Sequence, residues 1–287
     1  AMIKNYLYLQ TLFRAPEDFA LIVPDVESYA KRNNIRYIET FVAPSMVLRQ
    51  GGIDVDGILD PLVEGFDRLA SSGGADVRIL VDVSRTFGPE NAQRNVDLVL
   101  DYLGRRSTDR IIGIGLGGQE AGNPCKDYTS VFRAAREAGL HTVAHAGEEV
   151  GPESIREAVL ELGAERIGHG TSAAQDPALM DLLAERAIPL EICPASNVIT
   201  GKYVRRYEDH PLRAFYDRGL VVTLNTDDPV LFDIELDEEY RRVADKLGFD
   251  RAGIAKLLEN GIRASFMDEA GKKAALARLA AAAKTAV

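Results

Sequence analysis

Apolar residues fall along this chain in two alternating patterns. Short continuous runs occupy 35–45 (IRYIETFVAPS), 76–85 (DVRILVDVSR), 111–118 (IIGIGLGG), 141–148 (HTVAHAGE), 166–170 (RIGHG), 188–197 (IPLEICPASN) and 220–229 (LVVTLNTDDP). Between them lie longer segments, such as 127–140, 154–165 and 178–187, whose apolar residues recur at helical spacing. Gly139, Gly163 and Gly219 stand where helices should stop. Continuous apolar strands alternating with helices predict a buried parallel sheet. Seven such units at roughly regular spacing predict an α/β fold of the TIM-type (β/α)8 barrel kind rather than an open doubly wound sheet.

Seven runs are one short of eight. The segment 2–13 (MIKNYLYLQTLF) could supply the missing strand, although its apolar and aromatic spacing fits a helix at least as well. After the last run come two helical stretches, 237–248 and about 251–266, and an Ala-rich tail at 274–284. No linker or low-complexity break divides the chain. The expectation is one barrel domain over 1–287, lacking its first strand, with 268–287 as a C-terminal helical tail. The stretch GIGLGG (113–118) has the composition of a dinucleotide-binding turn but not its spacing, so a dinucleotide cofactor is not expected.

The 287 residues are 46% apolar and 27% charged, which suits a globular protein with a sizeable core. A net charge of −10 argues against a nucleic-acid surface and for small-molecule chemistry. Two cysteines, Cys125 and Cys193, stand far apart and in no CxxC pair. That excludes a disulfide framework or Cys-rich zinc site and suits a reducing cytoplasm. With no run of 18 apolar residues and no visible signal peptide, neither a membrane span nor export is expected.

In a barrel of this kind, chemistry gathers at the C-terminal ends of the strands. His145 and Glu148 end the run at 141–148, and His169 ends 166–170. Ser196 and Asn197 end 188–197, Asn225, Asp227 and Asp228 end 220–229, and Gly117 and Gly118 end 111–118. Each has an ordinary structural reading as well. Asp-Asp-Pro is commonly a turn or a helix cap. His141 starts its strand at the opposite end, His210 falls in what reads as a surface loop (YEDHPLR, 207–213), and Glu149 reads as solvated. For His145, His169 and Asp227 the functional reading is preferred, because each follows an apolar strand that would otherwise bury it unpaired. Imidazoles and carboxylates on such loops suit a divalent metal with an open position; zinc, iron(II), cobalt and manganese all accept them. Such a metal makes hydroxide near neutral pH, and Glu148 is placed to shuttle a proton beside it.

The motifs HTVAHAGE, RIGHG, CPASN and LNTDDP, in this order and at these intervals, resemble the adenosine deaminase family of the amidohydrolase superfamily. GLGG (115–118) matches that family's substrate-contacting glycine strand, and the resemblance spans about residues 13 to 267. It implies one zinc ion per site with His145 and Asp227 as ligands. It implies that Glu148 protonates purine N1, that His169 orients and deprotonates the metal-bound water, that Asp228 bonds N7 and that Gly118 contacts N3. The implied reaction is attack of metal-bound hydroxide at C6 of a 6-aminopurine nucleoside, of the adenosine-to-inosine type. Adenine and 6-aminodeoxyfutalosine are the competing substrates, and RIGHG with LNTDDP leans toward a nucleoside. The zinc deaminases of cytidine type need His-x-Glu and Pro-Cys-x-x-Cys, which do not occur here.

The sequence departs from the family pattern in one respect. The family's first strand carries a His-x-His pair, and none occurs in this chain. The expectation is therefore a chain without the N-terminal unit, in which zinc binds weakly or is absent and the open barrel edge invites self-association. The same gap also admits an inactive, metal-poor relative in which residues 1–12 substitute structurally, and a module that keeps the purine pocket without catalysis. Independently of the gap, a metal-dependent hydrolase of another small amide or ester on the same barrel is the competing enzyme class, since fold alone does not fix function.

Overall fold

The computed structural model describes residues 2–285. Residues 1 and 286–287, the ends of the expected 1–287 domain, lie outside that range. Seven strands occur among the described residues: β1 Tyr37–Val42, β2 Asp76–Asp82, β3 Ile111–Leu116, β4 His141–Ala146, β5 Arg166–His169, β6 Leu190–Ile192 and β7 Val222–Leu224. They form one parallel sheet in the order β1 to β7, with helices between successive strands. This is the parallel α/β arrangement that the hydrophobic pattern predicts. The segment considered as an eighth strand is instead the helix Met2–Gln10, as its apolar spacing also allowed.

By contacts the chain divides into two compact units. The first runs to Ala144 and includes Glu161–Gly163. There β1 pairs with β2 from Tyr37↔Asp76 to Val42↔Val81. The β2–β3 register slips between Ile79 and Leu80, so that Leu80 meets Gly113. Gly113 then lies opposite His141 on β4. A Cβ on Gly113 would strike the His141 carbonyl, so glycine lets these strands approach. Val77, Ile79, Leu80 and Val81 are all fully buried, and β2 is buried on both faces over 79–81 rather than alternating.

Two 17-residue helices cover this part of the sheet. Val55–Ser71 buries Ile58, Leu59, Leu62, Phe66 and Leu69, and the Asp54 side chain caps it by accepting from the Gly57 N–H at 2.9 Å. Pro89–Arg105 buries Val96, Val99 and Tyr102, whose hydroxyl donates to Asp60 at 2.8 Å. Each fully buried side chain of this size contributes about 1.5–3 kcal/mol through removal from water.

The second unit holds 145–160 and 164 onward. Here β5 pairs with β6 (Ile167↔Leu190) and β6 with β7 (Leu190↔Val222). The helix Arg251–Ala264, capped by Asp250, packs beside β7, and its Asn260 amide donates to the Val222 carbonyl at 2.9 Å. That bond satisfies a carbonyl of β7, the last strand in the sheet order. The C-terminal tail is the helix Glu269–Thr285. No helix among the described residues is long and apolar enough to cross a membrane.

One expectation about element type is corrected. The run 188–197 does not stay extended to its end. Strand β6 stops at Ile192, and Pro194–Thr200 is a helix. Pro194 occupies the first helical position, where its missing N–H costs nothing and its φ is already helical. Ser196 and Asn197 are thus carried by a helix start.

Candidate active site

Every candidate except Gly117 and Gly118 falls in the second unit. Strand β4 brings His145 to its C-terminal end, and Gly147 (φ +77°) then turns the chain so that Glu148 follows. A Cβ on Gly147 would collide with Ile155 and the Ser172 hydroxyl. The Gly147 carbonyl accepts from the Thr171 hydroxyl and the Ser172 N–H, both at 3.0 Å. Gly168, one residue before His169 on β5, lies against the His145 ring. A side chain there would start 3.2 Å from the ring's Cγ. The glycine of RIGHG therefore admits the imidazole of the neighbouring strand.

The structure brings His145, His169 and Asp227 together, with one ligand atom from each within 4.8 Å of the others. The two rings are 5.2 Å apart between centroids, inclined at 51°. The Glu148 Oε2 oxygen stands 3.5 Å from His169 Nε2. His169 (φ +63°) and Asp227 (φ +61°) are two of only six non-glycine residues with positive φ among those described. Left-handed backbone is costly for residues with a Cβ and persists where the surroundings enforce it, commonly at reacting centres.

The neighbours of this cluster hold it by hydrogen bonds. The Ser196 hydroxyl donates to Asp227 Oδ2 at 2.6 Å. The Asn197 amide lies 3.0 Å from His169 Nδ1. Both come from the helix Pro194–Thr200, whose Ala195 N–H donates to Glu239 at 3.0 Å. Glu239 is fully buried and is also bonded by Arg242 and Tyr207. Burial pushes its carboxyl above the ordinary value, while the Ala195 N–H and Arg242 oppose that rise. Burial likewise raises the Cys193 thiol well above its usual range, aided by the charges of Asp227, Glu191 and Glu148. Burial therefore favours the protonated thiol of Cys193.

Asp228 occupies the cap position of the helix Pro229–Phe232, but its side chain makes no capping bond. Its backbone carbonyl accepts from Phe232. Glu149 is half-buried. His141 begins β4, at the end away from His145. Gly118 belongs to the first unit, at φ +90°, where a Cβ would collide with the Thr86 hydroxyl. Asp82 lies nearby in the same unit, and burial raises its carboxyl to about 6 despite bonds from the Ser84 and Gly117 N–H groups.

Two residues that the sequence did not flag belong to this network. His210, expected on a surface loop, is buried and lies 3.2 Å through Nε2 from the Asn197 side-chain oxygen. Its partner is 13 residues away, so the polar surroundings in sequence say nothing of its burial. Glu239 had a readable signal. It is followed at i+4 and i+8 by Val243 and Leu247, both buried, which puts a carboxylate on the core face of the helix Leu236–Leu247.

His210 gives the molecule a pH dependence. Burial, with a smaller contribution from the facing His169, pushes its pKa down from 6.5 to about 3. Between those values the unfolded chain binds the proton and the folded chain does not. Stability is therefore full above about 6.5 and falls as the pH drops through the window. Between pH 7 and pH 5 this residue should cost about 2 kcal/mol of unfolding free energy. Denaturant titrations at both pH values check this, since His210→Gln should flatten the loss by that amount.

A parallel α/β sheet with imidazoles and carboxylates gathered at its strand ends is the arrangement of a metal-dependent hydrolase. The chain belongs to the adenosine deaminase family, whose description, "Adenosine deaminase", matches it over residues 1–282. It is 41% identical over 279 residues to an aminodeoxyfutalosine deaminase of Streptomyces avermitilis, covering 97% of this chain and 76% of that protein. It is 40% identical over 252 residues to an adenosine deaminase of Erwinia tasmaniensis, covering 88% and 74%. Among solved structures, an adenine deaminase from Arthrobacter aurescens superposes with a TM-score of 0.90 at 28% identity, over 99% of this chain and 84% of that one. An amidohydrolase from Burkholderia ambifaria with bound zinc gives 0.88 at 27% identity, over 95% and 75%.

Proposed function

We propose that the chain hydrolyses the exocyclic amine of a 6-aminopurine nucleoside, releasing ammonia and leaving a 6-oxo purine. The observation that carries this reading is the meeting of His145, His169 and Asp227 within 4.8 Å, beside the Glu148 carboxyl, in a chain of this family. Imidazole and carboxylate are donors that zinc takes in catalytic sites, and His145 and Asp227 supply two of the three or more that such a site uses. His145 and Asp227 would hold the ion, and when bound it would supply Lewis-acid activation of water near neutral pH.

The chain's own groups perform the remaining work. Glu148 delivers a proton to N1 as attack at C6 pushes electrons into the ring. His169 orients the attacking water. Asp228 bonds N7 with one proton between them, since carboxylate and ring nitrogen are both acceptors. Collapse at C6, with the proton of the added hydroxyl passing to the amine, then expels ammonia and leaves the 6-oxo group. Ser196 supports the site by orienting the Asp227 carboxylate, and partners of this kind typically contribute 10–100-fold to metal affinity or activity.

One comparison favours a particular second substrate. The aminodeoxyfutalosine deaminase of Streptomyces coelicolor is 40% identical over 94% of this chain, a wider span than the adenosine deaminase match. Ammonia release from adenosine, adenine and 6-aminodeoxyfutalosine, measured with added zinc, tests both readings. A nucleoside should be turned over faster than the free base. Release from none of the three would overturn the deaminase reading of this chain.

A further inference from the structure

The hydrogen bonds behind His169 form a chain whose direction can be worked out from one end. The Leu212 backbone N–H donates to His210 Nδ1 at 3.0 Å. A backbone N–H can only donate, so His210 Nδ1 carries a lone pair. An imidazolium has no acceptor nitrogen, so His210 is neutral and holds its proton on Nε2. That Nε2 lies 3.2 Å from Asn197 Oδ1, an acceptor. With its oxygen committed to His210, Asn197 presents its amide nitrogen to His169 Nδ1 at 3.0 Å. An amide nitrogen also only donates, so His169 Nδ1 is an acceptor as well.

We infer that His210 and Asn197 are positioning residues that lock His169 in the tautomer with its proton on Nε2. Which nitrogen of a histidine is protonated follows from the bond that the other one makes. All members of the relay, His169, Asn197, His210 and Leu212, are buried, so water does not compete for these bonds. The left-handed backbone of His169 fixes the ring's root, and the Asn197 amide fixes its rotation.

The locked tautomer decides what His169 can do. Its Nε2 has no lone pair to offer, so in this state it neither ligates a metal nor takes a proton from water through that atom. It donates instead, toward the Glu148 oxygen at 3.5 Å and toward the oxygen being added at C6. The proton lost by the water then goes to the Glu148 carboxylate, which passes it to N1. The C6–O bond forms as the C6=N1 double bond becomes single, one O–H bond breaks, and N1 gains the proton. This catalytic consequence rests on the deaminase reading; the tautomer itself rests only on the relay.

The test is nitrogen-15 NMR of the imidazole rings in the metal-free protein, with long-range proton couplings separating protonated from bare nitrogens. The chain has four histidines, so assignment by single substitution is practical. His169 and His210 should each show a protonated Nε2 and a bare Nδ1. Asn197→Asp removes the only donor at that position of the relay, and His169 should move its proton to Nδ1. With aminopurine, the same variant should lose roughly 10²-fold or more in kcat while KM changes little. A protonated His169 Nδ1 in the wild type, or an unchanged tautomer in Asn197→Asp, overturns the inference. If Asn197→Asp does not fold, the wild-type spectrum decides alone. A spectrum as expected with no ammonia released would sink the deaminase reading and leave the relay standing.

Discussion

Replacing Glu148 by Gln should lower kcat for ammonia release by roughly 10²- to 10⁴-fold, the usual cost of removing a general acid–base group. The amide keeps the size of the side chain and its place 3.5 Å from the His169 ring. It cannot pass a proton to N1 at the moment the ring accepts charge. Glu148 sits directly after the turn at Gly147, which nothing larger than glycine can make without striking Ile155 and Ser172. The carboxyl is therefore held by backbone rather than by a mobile loop. KM should change little, because the interaction is made chiefly in the transition state. Zinc binding should be unaltered, because Glu148 is not one of the proposed ligands, His145 and Asp227. A variant with near-normal kcat would remove Glu148 as the proton carrier.

The parallel sheet was legible because buried parallel strands leave an unbroken apolar signature, as β2 does with four consecutive buried positions, Ile79 to Asp82, in its second half. Much of the site's location was legible for a related reason. A histidine or aspartate directly after such a run has to end at the sheet's edge, and chain order along β4, β5 and β7 then sets the neighbours. Legibility stopped where position depends on distant partners. The head of the chain, 2–13, satisfied two patterns, and the helix Met2–Gln10 prevailed. The end of run 188–197 switched to helix because Pro194 starts one and the distant Glu239 accepts the Ala195 N–H. His210 was misread because its burial is created by Asn197 and by the helix Leu212–Asp217 that it precedes. Hydrogen-bond direction, which assigns the His169 tautomer, exists only once these pieces meet.

Asp227 should reveal opposing demands of chemistry and backbone when it is replaced in two ways. Asp227→Gly and Asp227→Ala both delete the carboxylate that the proposed zinc site needs, and both should lose metal retention and deamination together. His145 and Asp227 are the two proposed ligands, so losing Asp227 leaves a single one, whereas catalytic zinc sites use at least three protein ligands. The two variants should differ in stability. At φ +61° alanine bears the left-handed penalty of its Cβ, whereas glycine does not. The glycine variant should therefore exceed the alanine variant by about 1–2 kcal/mol in unfolding free energy. Both leave the buried Ser196 hydroxyl without the Asp227 oxygen it donates to at 2.6 Å, so that loss cancels in the comparison. Zinc titration with parallel denaturant unfolding reads both quantities. Zinc retained by the glycine variant would remove Asp227 from the ligand set. Equal stability of the two variants would mean that the left-handed turn at Asp227 carries no strain, and that the aspartate is kept there by something other than its chemistry.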